Sequence, residues 1–494
     1  MCNSMKQPDV LFFMSDQHTP YYSGFEGHNV DTPAMDQLCR EGTRFAQAYS
    51  TCPLCVPARL AMLSGLRPAK TGVFTLDDAL PDLTPTFLHC LVAQGYETVL
   101  VGRMHFLGRD QRHGFTKRVA GDLTPTSWNA PRKKLAEERG VLARSFGEPF
   151  CTAVVGGGES PVEHYDRYVI NAALEYLSQN HEKPQFIVVG IYGPHFPYVG
   201  SKELYEKYRA KVVLPDSFYD PCPTQVLQRH RQPVTEELAL AIQAAYCAMV
   251  EQADEKIGQV RRAFDRYCDR NGHRRLFVYT SDHGDQCGDR SMFAKSTFFE
   301  KSAKIPLIFA GDGIAPGTVC QTPVSIMDIG PTLLDCVGAE PMVDVDGVTL
   351  APALCGGPVP EHVIYGEFLE RESMQTPADS YCFMVREGRY KYMCFRDDPG
   401  CELLFDIETD PDERHNLAPE RPELLENMRR LAEQHAMPEQ AVALQKRHAW
   451  SSNLWRAYEN ALGTGNDVER WTDTPPEARD YPQVCLKNET LGQP

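Results

Sequence analysis

Residues 10–17 read VLFFMSDQ: five consecutive apolar residues, then a serine, an aspartate and a glutamine. So short a run fits one buried strand, whereas a core helix needs roughly ten residues or more. Four further runs share this texture: ETVLVG at 97–102, FIVVGIY at 186–192, LFVYTS at 276–281 and IPLIFAG at 305–311. All are read as buried parallel strands, because a strand covered on both faces is apolar at successive positions rather than alternate ones. Between them, PVEHYDRYVINAALEYLSQ (161–179) and EELALAIQAAYCAMVEQADEKIGQVRRAF (236–264) repeat apolar residues at three and four, the period of a helix. The alternation predicts an α/β fold, a large mixed and mostly parallel sheet sandwiched by helices.

After about residue 370 the texture changes. YCFMVREGRYKYMCF (381–395) and CELLFDIETDPDERHNLA (401–418) read as short antiparallel strands and a turn, followed by a charged helix around ELLENMRRLAEQH (423–435). The expected division is a large α/β domain over 1–370 and a smaller α+β subdomain with a tail over 371–494. From about Lys446 the periodicity is weak and Trp, Pro and charge are frequent, so this end is read either as an arm that wraps the body or as a partly disordered tail.

The 494 residues carry a formal charge of −17, which repels polyanions and argues against nucleic acid as a partner. No apolar run is long enough to cross a bilayer. The opening MCNSMKQPDVLFFMSDQ has one early lysine and an apolar stretch soon broken by Ser15 and Asp16, so it is not read as a signal peptide. The seventeen irregularly spaced cysteines fit reduced thiols rather than a disulfide framework. The expectation is a cytoplasmic protein without membrane or nucleic-acid partners.

In an open α/β sheet, ligands sit beyond the carboxyl ends of the strands. The first run ends in Asp16 and Gln17; the second leads into GRMHF, with Arg103 and His105; the third leads into GPHFPY, with His195; the fourth ends in SDHGD, with Asp282 and His283. Oxygen donors from Asp16, Gln17 and Asp282 with a nitrogen of His283 make a cage for a hard divalent cation. Zinc would prefer more nitrogen or sulfur.

The stretch STCPLCVPARLAMLSG (50–65) has Pro57 where the first turn of a helix accepts it and Gly65 where a helix stops. Cys55 therefore falls at a helix N-terminus, where free N–H groups favour an anion, and Arg59 lies one turn on. A redox pair of Cys52 and Cys55 would need a thioredoxin-like context, and a zinc site would need a second such pair nearby.

CVPAR (55–59) resembles the Cys-x-Pro-x-Arg signature of type I sulfatases, members of the alkaline phosphatase superfamily, and LAMLSGLRP (60–68) continues the likeness. FFMSDQ resembles the first metal strand of that family, TSDHGD its second metal pair, and ELLFDIETDPDERHNLA its C-terminal sheet motif. GRMHFLGRDQRHGF (102–115) is similar to choline-sulfatase-like members, and the DQ and DHG pairs are also shared with phosphonate monoester hydrolases. Three positions depart from many arylsulfatases: Gln17 stands where a second acid is usual, His283 where Asn is, and Arg103 where Lys is.

The resemblance implies an alkaline-phosphatase-like fold and a sulfuric ester hydrolase acting on a sulfate monoester of a small alcohol or sugar. Cys55 would be oxidised to formylglycine by a formylglycine-generating maturation enzyme, and its hydrate would attack sulfur. The metal, Ca²⁺ ahead of Mn²⁺ or Mg²⁺, would be held by Asp16, Gln17, Cys55 (as formylglycine), Asp282 and His283. Arg59, Arg103 and Lys295 in MFAKSTFFEKS (292–302) would hold developing charge. His195, with Lys295 as a second donor, would protonate the leaving alcohol, and His105 would assist release of sulfate. Asp122 and Trp128 are read as receivers of a cationic head group or as structural residues. A phosphonate monoester hydrolase or phosphodiesterase with the same machinery is the alternative, and a silent metal-binding protein the third reading. A homo-oligomer stays open, with Trp450, Trp455 and Trp471 covering their own body or a neighbour's.

Overall fold

The computed structural model describes residues 7–128, 145, 150–371, 378–463, 469–479 and 481–491. Its main sheet has eight strands: β1 (Asp9–Asp16), β2 (Gly42–Phe45), β3 (Glu97–Gly102), β4 (Lys117–Ala120), β5 (Gln185–Pro194), β6 (Arg275–Ser281), β7 (Leu307–Gly311) and β8 (Thr318–Cys320). Their spatial order is β8-β2-β7-β6-β1-β5-β3-β4. β1 lies in the middle, parallel to β5 on one side and β6 on the other.

All eight residues of β1 are buried, and they alternate between two cores. Leu11 and Phe13 pack with helices α2 (Pro161–Ser178) and α3 (Glu236–Asn271), whereas Val10, Phe12 and Met14 pack with α1 (Cys55–Ser64) on the opposite face. Cover on both faces is why the run is apolar without a break. α1 is itself buried along its whole length, so it is apolar all round rather than on one stripe. Gly65 ends it with φ of 67° and donates its N–H to the Ala61 carbonyl at 2.8 Å.

The five apolar runs all become strands of this sheet, with one change of direction. IPLIFAG forms β7, which starts after Pro306 and runs antiparallel to both β6 and β2. A parallel return needs a crossover that carries the chain to the other end of the sheet. The segment from Asp282 to Pro306 holds only short helical turns and the two-residue strand Lys304–Ile305 and stays at the carboxyl end, so the chain comes back down instead.

The C-terminal sheet is antiparallel: β9 (Ile364–Arg371), β10 (Ala378–Glu387), β11 (Tyr390–Phe395) and β12 (Glu402–Asp406). Glu387 pairs with Tyr390, leaving a two-residue turn in which Gly388 takes φ of 53°. α4 (Pro422–Glu433) follows as the charged sequence predicts, and α5 (Pro438–Leu462) comes next.

Lys446 therefore lies inside a helix, and the arm begins later than expected. The buried residues of α5 are Ala441, Val442, Gln445, Ser452 and Glu459, too small or polar to leave an apolar period. Beyond it the chain does return to the body: Asp122 bridges to Arg470, and Val484–Lys487 pairs antiparallel with Val154–Gly157. Among the described residues no helix is long and apolar enough to cross a membrane.

Candidate active site

The carboxyl ends of β1, β3, β5 and β6 meet the N-terminus of α1. β1 stops at Asp16, and Gln17 turns the backbone out of the sheet with φ of 64°. A non-glycine residue in this region needs support. Tyr246 gives it by donating its hydroxyl to the Gln17 carbonyl at 2.6 Å, while the Gln17 N–H donates to Asp282 Oδ1 at 3.1 Å.

Asp16, Cys55, Asp282 and His283 each direct one donor atom into a common space, all within 4.8 Å of one another. Cys55 Sγ lies 3.2 Å from His283 Nε2 and 3.6 Å from Asp16 Oδ1. Each carboxylate divides its labour. Asp16 Oδ2 receives Arg103 Nε at 2.5 Å and Arg59 at 3.2 Å, and Asp282 Oδ2 receives Arg59 Nε at 2.8 Å. The Oδ1 atoms are left towards His283 Nε2, at 3.7 Å from Asp16 and 3.6 Å from Asp282.

Burial raises the Asp16 carboxyl, but the neighbouring cations, Arg103 first and then Arg59 and Lys295, overcome this and hold it well below the ordinary value. Burial pulls His283 down to about 4, with Lys295 helping, so its ring is neutral. Its Nδ1 faces the Gly284 carbonyl at 3.0 Å, which makes Nδ1 the protonated nitrogen and leaves the Nε2 lone pair in the cage. Two carboxylate oxygens, a neutral imidazole nitrogen and the neighbouring Gln17 amide form a donor set that fits a hard divalent cation.

Burial and then Asp16 push the Cys55 thiol up to about 12, against the pull of Lys295. Such a thiol is protonated at neutral pH and is a poor nucleophile. Cys52 packs elsewhere, in an apolar cluster with Tyr49 and Phe298, so the two cysteines of STCPLC serve different places.

Lys295 completes the cage. Its Nζ reaches His195 Nε2 at 2.7 Å, Gln17 Oε1 at 3.1 Å and Cys55 Sγ at 3.2 Å. Ala294 and Ser296 flank it with φ of 61° and 75°, a conformation that costs about 1 kcal/mol or more at each non-glycine residue. Burial first, then Lys295, keeps His195 well below its usual pKa. Its Nδ1 sits 2.8 Å from the Phe196 carbonyl, to which it donates.

Arg103 and His105 are joined through Asp122. Arg103 donates to Asp122 Oδ1 at 3.1 Å and to His105 Nδ1 at 2.8 Å, and Asp122 Oδ2 accepts the His105 backbone N–H at 2.8 Å. Burial, then Arg103, holds His105 well below its usual pKa. Asp122 is fully buried in this role, while Trp128 stacks on Trp455 and donates its indole N–H to the Asp77 carbonyl. The two do not form a receptor for a cationic head group.

Arg59 also differs from expectation. Every nitrogen of its guanidinium is engaged with Asp16, Asp282, the Ser15 and Arg103 carbonyls or Met104 Sδ, and it is completely buried. It holds the carboxylates from behind and does not face the open side, where the less buried His105, His195 and Lys295 stand.

A family profile described as sulfatase matches residues 8–339, well over half of the chain. The chain belongs to the sulfatase family. This sulfatase is a sulfuric ester hydrolase of the type I group. A second profile, the C-terminal region of N-sulphoglucosamine sulphohydrolase, matches residues 288–438. The sulfatase is 32% identical to the choline-sulfatase of Rhizobium meliloti (strain 1021) over 438 residues, covering 83% of this chain and 82% of that one. It is 25% identical to arylsulfatase K of Xenopus laevis, over 90% and 86% of the two chains.

Solved structures show the same fold. One, of a protein in complex with its substrate D-glucosamine-2-N,6-O-disulfate, superposes with a TM-score of 0.70 at 19% identity, covering 88% of this chain and 98% of that one. The phosphonate monoester hydrolase of Agrobacterium radiobacter superposes with a TM-score of 0.69 at 23% identity, covering 90% and 96%.

Sequence reasoning left several residues of the site without a role. Asp285 stood inside the quoted SDHGD without a function, and Tyr198, Tyr246 and Asp166 were not singled out. The signal for Asp285 was its place at a strand end two residues past a metal pair. The tyrosines meet partners far away in the chain, Gln17 being 229 positions from Tyr246 and Asp285 87 from Tyr198, and leave no local pattern.

Proposed function

We propose that this sulfatase hydrolyses sulfate monoesters of small alcohols or sugars, using formylglycine made from Cys55 and a divalent cation held by Asp16, Gln17, Asp282 and His283. The observation that carries the reading is the position of Cys55 at the N-terminus of α1, with Lys295 Nζ and His283 Nε2 both 3.2 Å from its sulfur. The cation, Ca²⁺ ahead of Mn²⁺ or Mg²⁺ for a donor set this rich in oxygen, would supply Lewis acidity at the reacting sulfuryl group. The hydrated aldehyde would supply the oxygen nucleophile that a thiol titrating at about 12 does not.

The chain's own groups then divide as follows. Arg59 and Arg103 neutralise the carboxylates and fix which oxygens face the cage. Lys295 places a positive charge beside the residue-55 side chain, where negative charge gathers as an ester oxygen leaves. Because the His195 lone pair accepts from Lys295, the ready proton sits on Lys295 Nζ, and His195 orients it towards the open side. His105, with Nδ1 accepting from Arg103, keeps Nε2 as a donor near the same opening, the position for assisting sulfate release.

Likeness to choline-sulfatase supports O-sulfocholine as a first substrate to assay, beside 4-nitrophenyl sulfate and sulfated monosaccharides. The test is peptide mass spectrometry on residue 55 in protein coexpressed with a formylglycine-generating enzyme, followed by parallel assays of sulfate and phenylphosphonate esters. Conversion of Cys55 with sulfate turnover dominant is expected. An unmodified thiol beside a converted control sulfatase would remove the formylglycine reading, and dominant phosphonate turnover would move the assignment to the phosphonate hydrolases.

A further inference from the structure

Gln17 carries an amide, whose two ends are opposite in kind, and something must decide which end faces the cage. Gln17 Nε2 donates to Asp285 Oδ2 at 2.6 Å, which leaves Oε1 towards Lys295 and the metal-site donors. Asp285 is completely buried and accepts two further hydrogen bonds, from the Tyr198 hydroxyl at 2.7 Å and the Cys287 backbone N–H at 2.8 Å. Its two oxygens thus face donors only. An ionised carboxylate has no N–H of its own, so it accepts the amine end of Gln17 and repels the carbonyl end. The same Tyr198 hydroxyl accepts the Ala294 N–H at 3.0 Å, one residue before Lys295.

We propose that Asp285 is a positioning residue that locks the Gln17 side chain with its carbonyl oxygen in the metal cage and, through Tyr198, ties the Lys295 loop to the same anchor. The inference rests on the assignment of Gln17 as a metal donor.

Asn at position 285 breaks the lock whichever way it lies. With its oxygen kept on Cys287 N–H, its amine meets Gln17 and turns the Gln17 amine into the cage. With its oxygen on Gln17, its amine meets the Cys287 N–H. Gln17→Glu alone sets a second carboxylate against Asp285, with nothing to donate between them. The double variant Q17E/D285N restores a donor and an acceptor with the roles exchanged, and again presents oxygen to the cage.

The experiment is calorimetric titration of Ca²⁺ and Mn²⁺ into chelator-treated full-length protein, wild type and these three variants, with melting temperatures alongside. Wild-type binding is expected, with a tenfold to hundredfold loss for D285N, the range seen when a group orienting a metal ligand is removed. Recovery to within about threefold of wild type is expected for Q17E/D285N by restoration of that orientation. Equal affinity in wild type and D285N, or losses in the double variant that add rather than cancel, would overturn the lock. Wild-type protein that binds neither metal would instead overturn the metal assignment and the inference with it. Tyr198→Phe keeps the Gln17 bond but frees Ala294, so unchanged metal affinity with a lowered kcat is expected. Should D285N fail to fold, the comparison of Q17E with Q17E/D285N decides the matter, since the lock requires tighter binding by the double variant.

Discussion

Lys295 Nζ donates to His195 Nε2 across 2.7 Å, and because His195 Nδ1 is turned to the Phe196 carbonyl, the proton of this pair resides on the lysine. The two residues come from loops 100 positions apart. If Lys295 is the acid, Lys295→Met lowers kcat/KM for an alkyl sulfate by about 10²–10⁴, as for loss of a general acid. 4-Nitrophenyl sulfate, whose leaving group needs no proton, is expected to lose far less. His195→Ala is expected to show the same selectivity to a smaller degree. Equal losses of Lys295→Met on both esters would leave the lysine with a charge role only.

Asp166 gives a prediction about pH. Its carboxylate accepts the Tyr192 and Gly193 N–H groups at 2.7 and 3.0 Å, just before His195. Burial, and then Glu163, outweigh Lys256 and these bonds and raise it to about 7, from 3.8. The folded protein therefore keeps a proton that the unfolded chain releases, and stability from this group falls as pH rises from about 4 to 7. The full span is roughly 4 kcal/mol at 1.36 kcal/mol per pH unit. Asp166→Asn cannot titrate. The melting temperature of the variant relative to wild type is expected to climb between pH 5 and 8, and a constant difference would remove the assignment. A lower kcat should accompany it, because one of the two N–H groups positioning the His195 segment loses its acceptor.

The five apolar runs were legible because each is covered on both faces, a condition that writes itself into consecutive residues. The short strands β2, β4 and β8 carry no such signal, and the reversal of β7 depends on where the chain travels after Ser281 rather than on IPLIFAG itself. α5 was hidden by a buried face of Ala, Gln and Ser. In the site, Asp16, Asp282, His283 and Cys55 were legible as strand-end and helix-start positions. What Arg59 and Asp122 do was not, because each meets partners fixed only by the sheet order: Asp282 lies 223 positions from Arg59. The direction of the Gln17 amide is set by Asp285, 268 positions away.

The strap formed by the chain end bears on Arg103. The Asp122 N–H donates to the Glu469 carbonyl at 2.8 Å, and the Trp471 N–H donates back to the Asp122 carbonyl at 2.7 Å. Trp471 packs its ring on Tyr165 and Tyr168 at 5.5 and 6.0 Å. Trp471→Ala is expected to cost about 3–5 kcal/mol, the range for a buried large aromatic. Truncation after Gly463 removes the strap while sparing α5. It should lower both the melting temperature and kcat, since Asp122 holds Arg103 and His105. If the truncated protein keeps full activity, the strap does not hold the site. Fewer copies per particle in solution than in the full-length protein would show that the end also joins copies.

Arg59 makes the metal cage stable without its cation. Asp282 has Arg59 as its guanidinium partner, whereas Asp16 is shared between Arg59 and Arg103. Wild-type protein is therefore expected to stay folded in EDTA, because both carboxylates keep a buried positive partner. In Arg59→Met, Asp282 retains only neutral donors near its charge, the Gln17 and His283 backbone N–H groups and the Ser281 hydroxyl. Removing one side of a buried ion pair costs about 3–5 kcal/mol, most of it the uncompensated charge left behind. A bound cation beside Asp282 supplies that compensation, and at a hundred times its Kd it contributes about 2.7 kcal/mol by mass action alone. The melting temperature of Arg59→Met should thus rise more on changing EDTA for excess Ca²⁺ than that of wild type does. Identical shifts in the two proteins would mean that the metal is held without regard to the charge on Asp282, and the oxygen cage would have to be drawn with other donors.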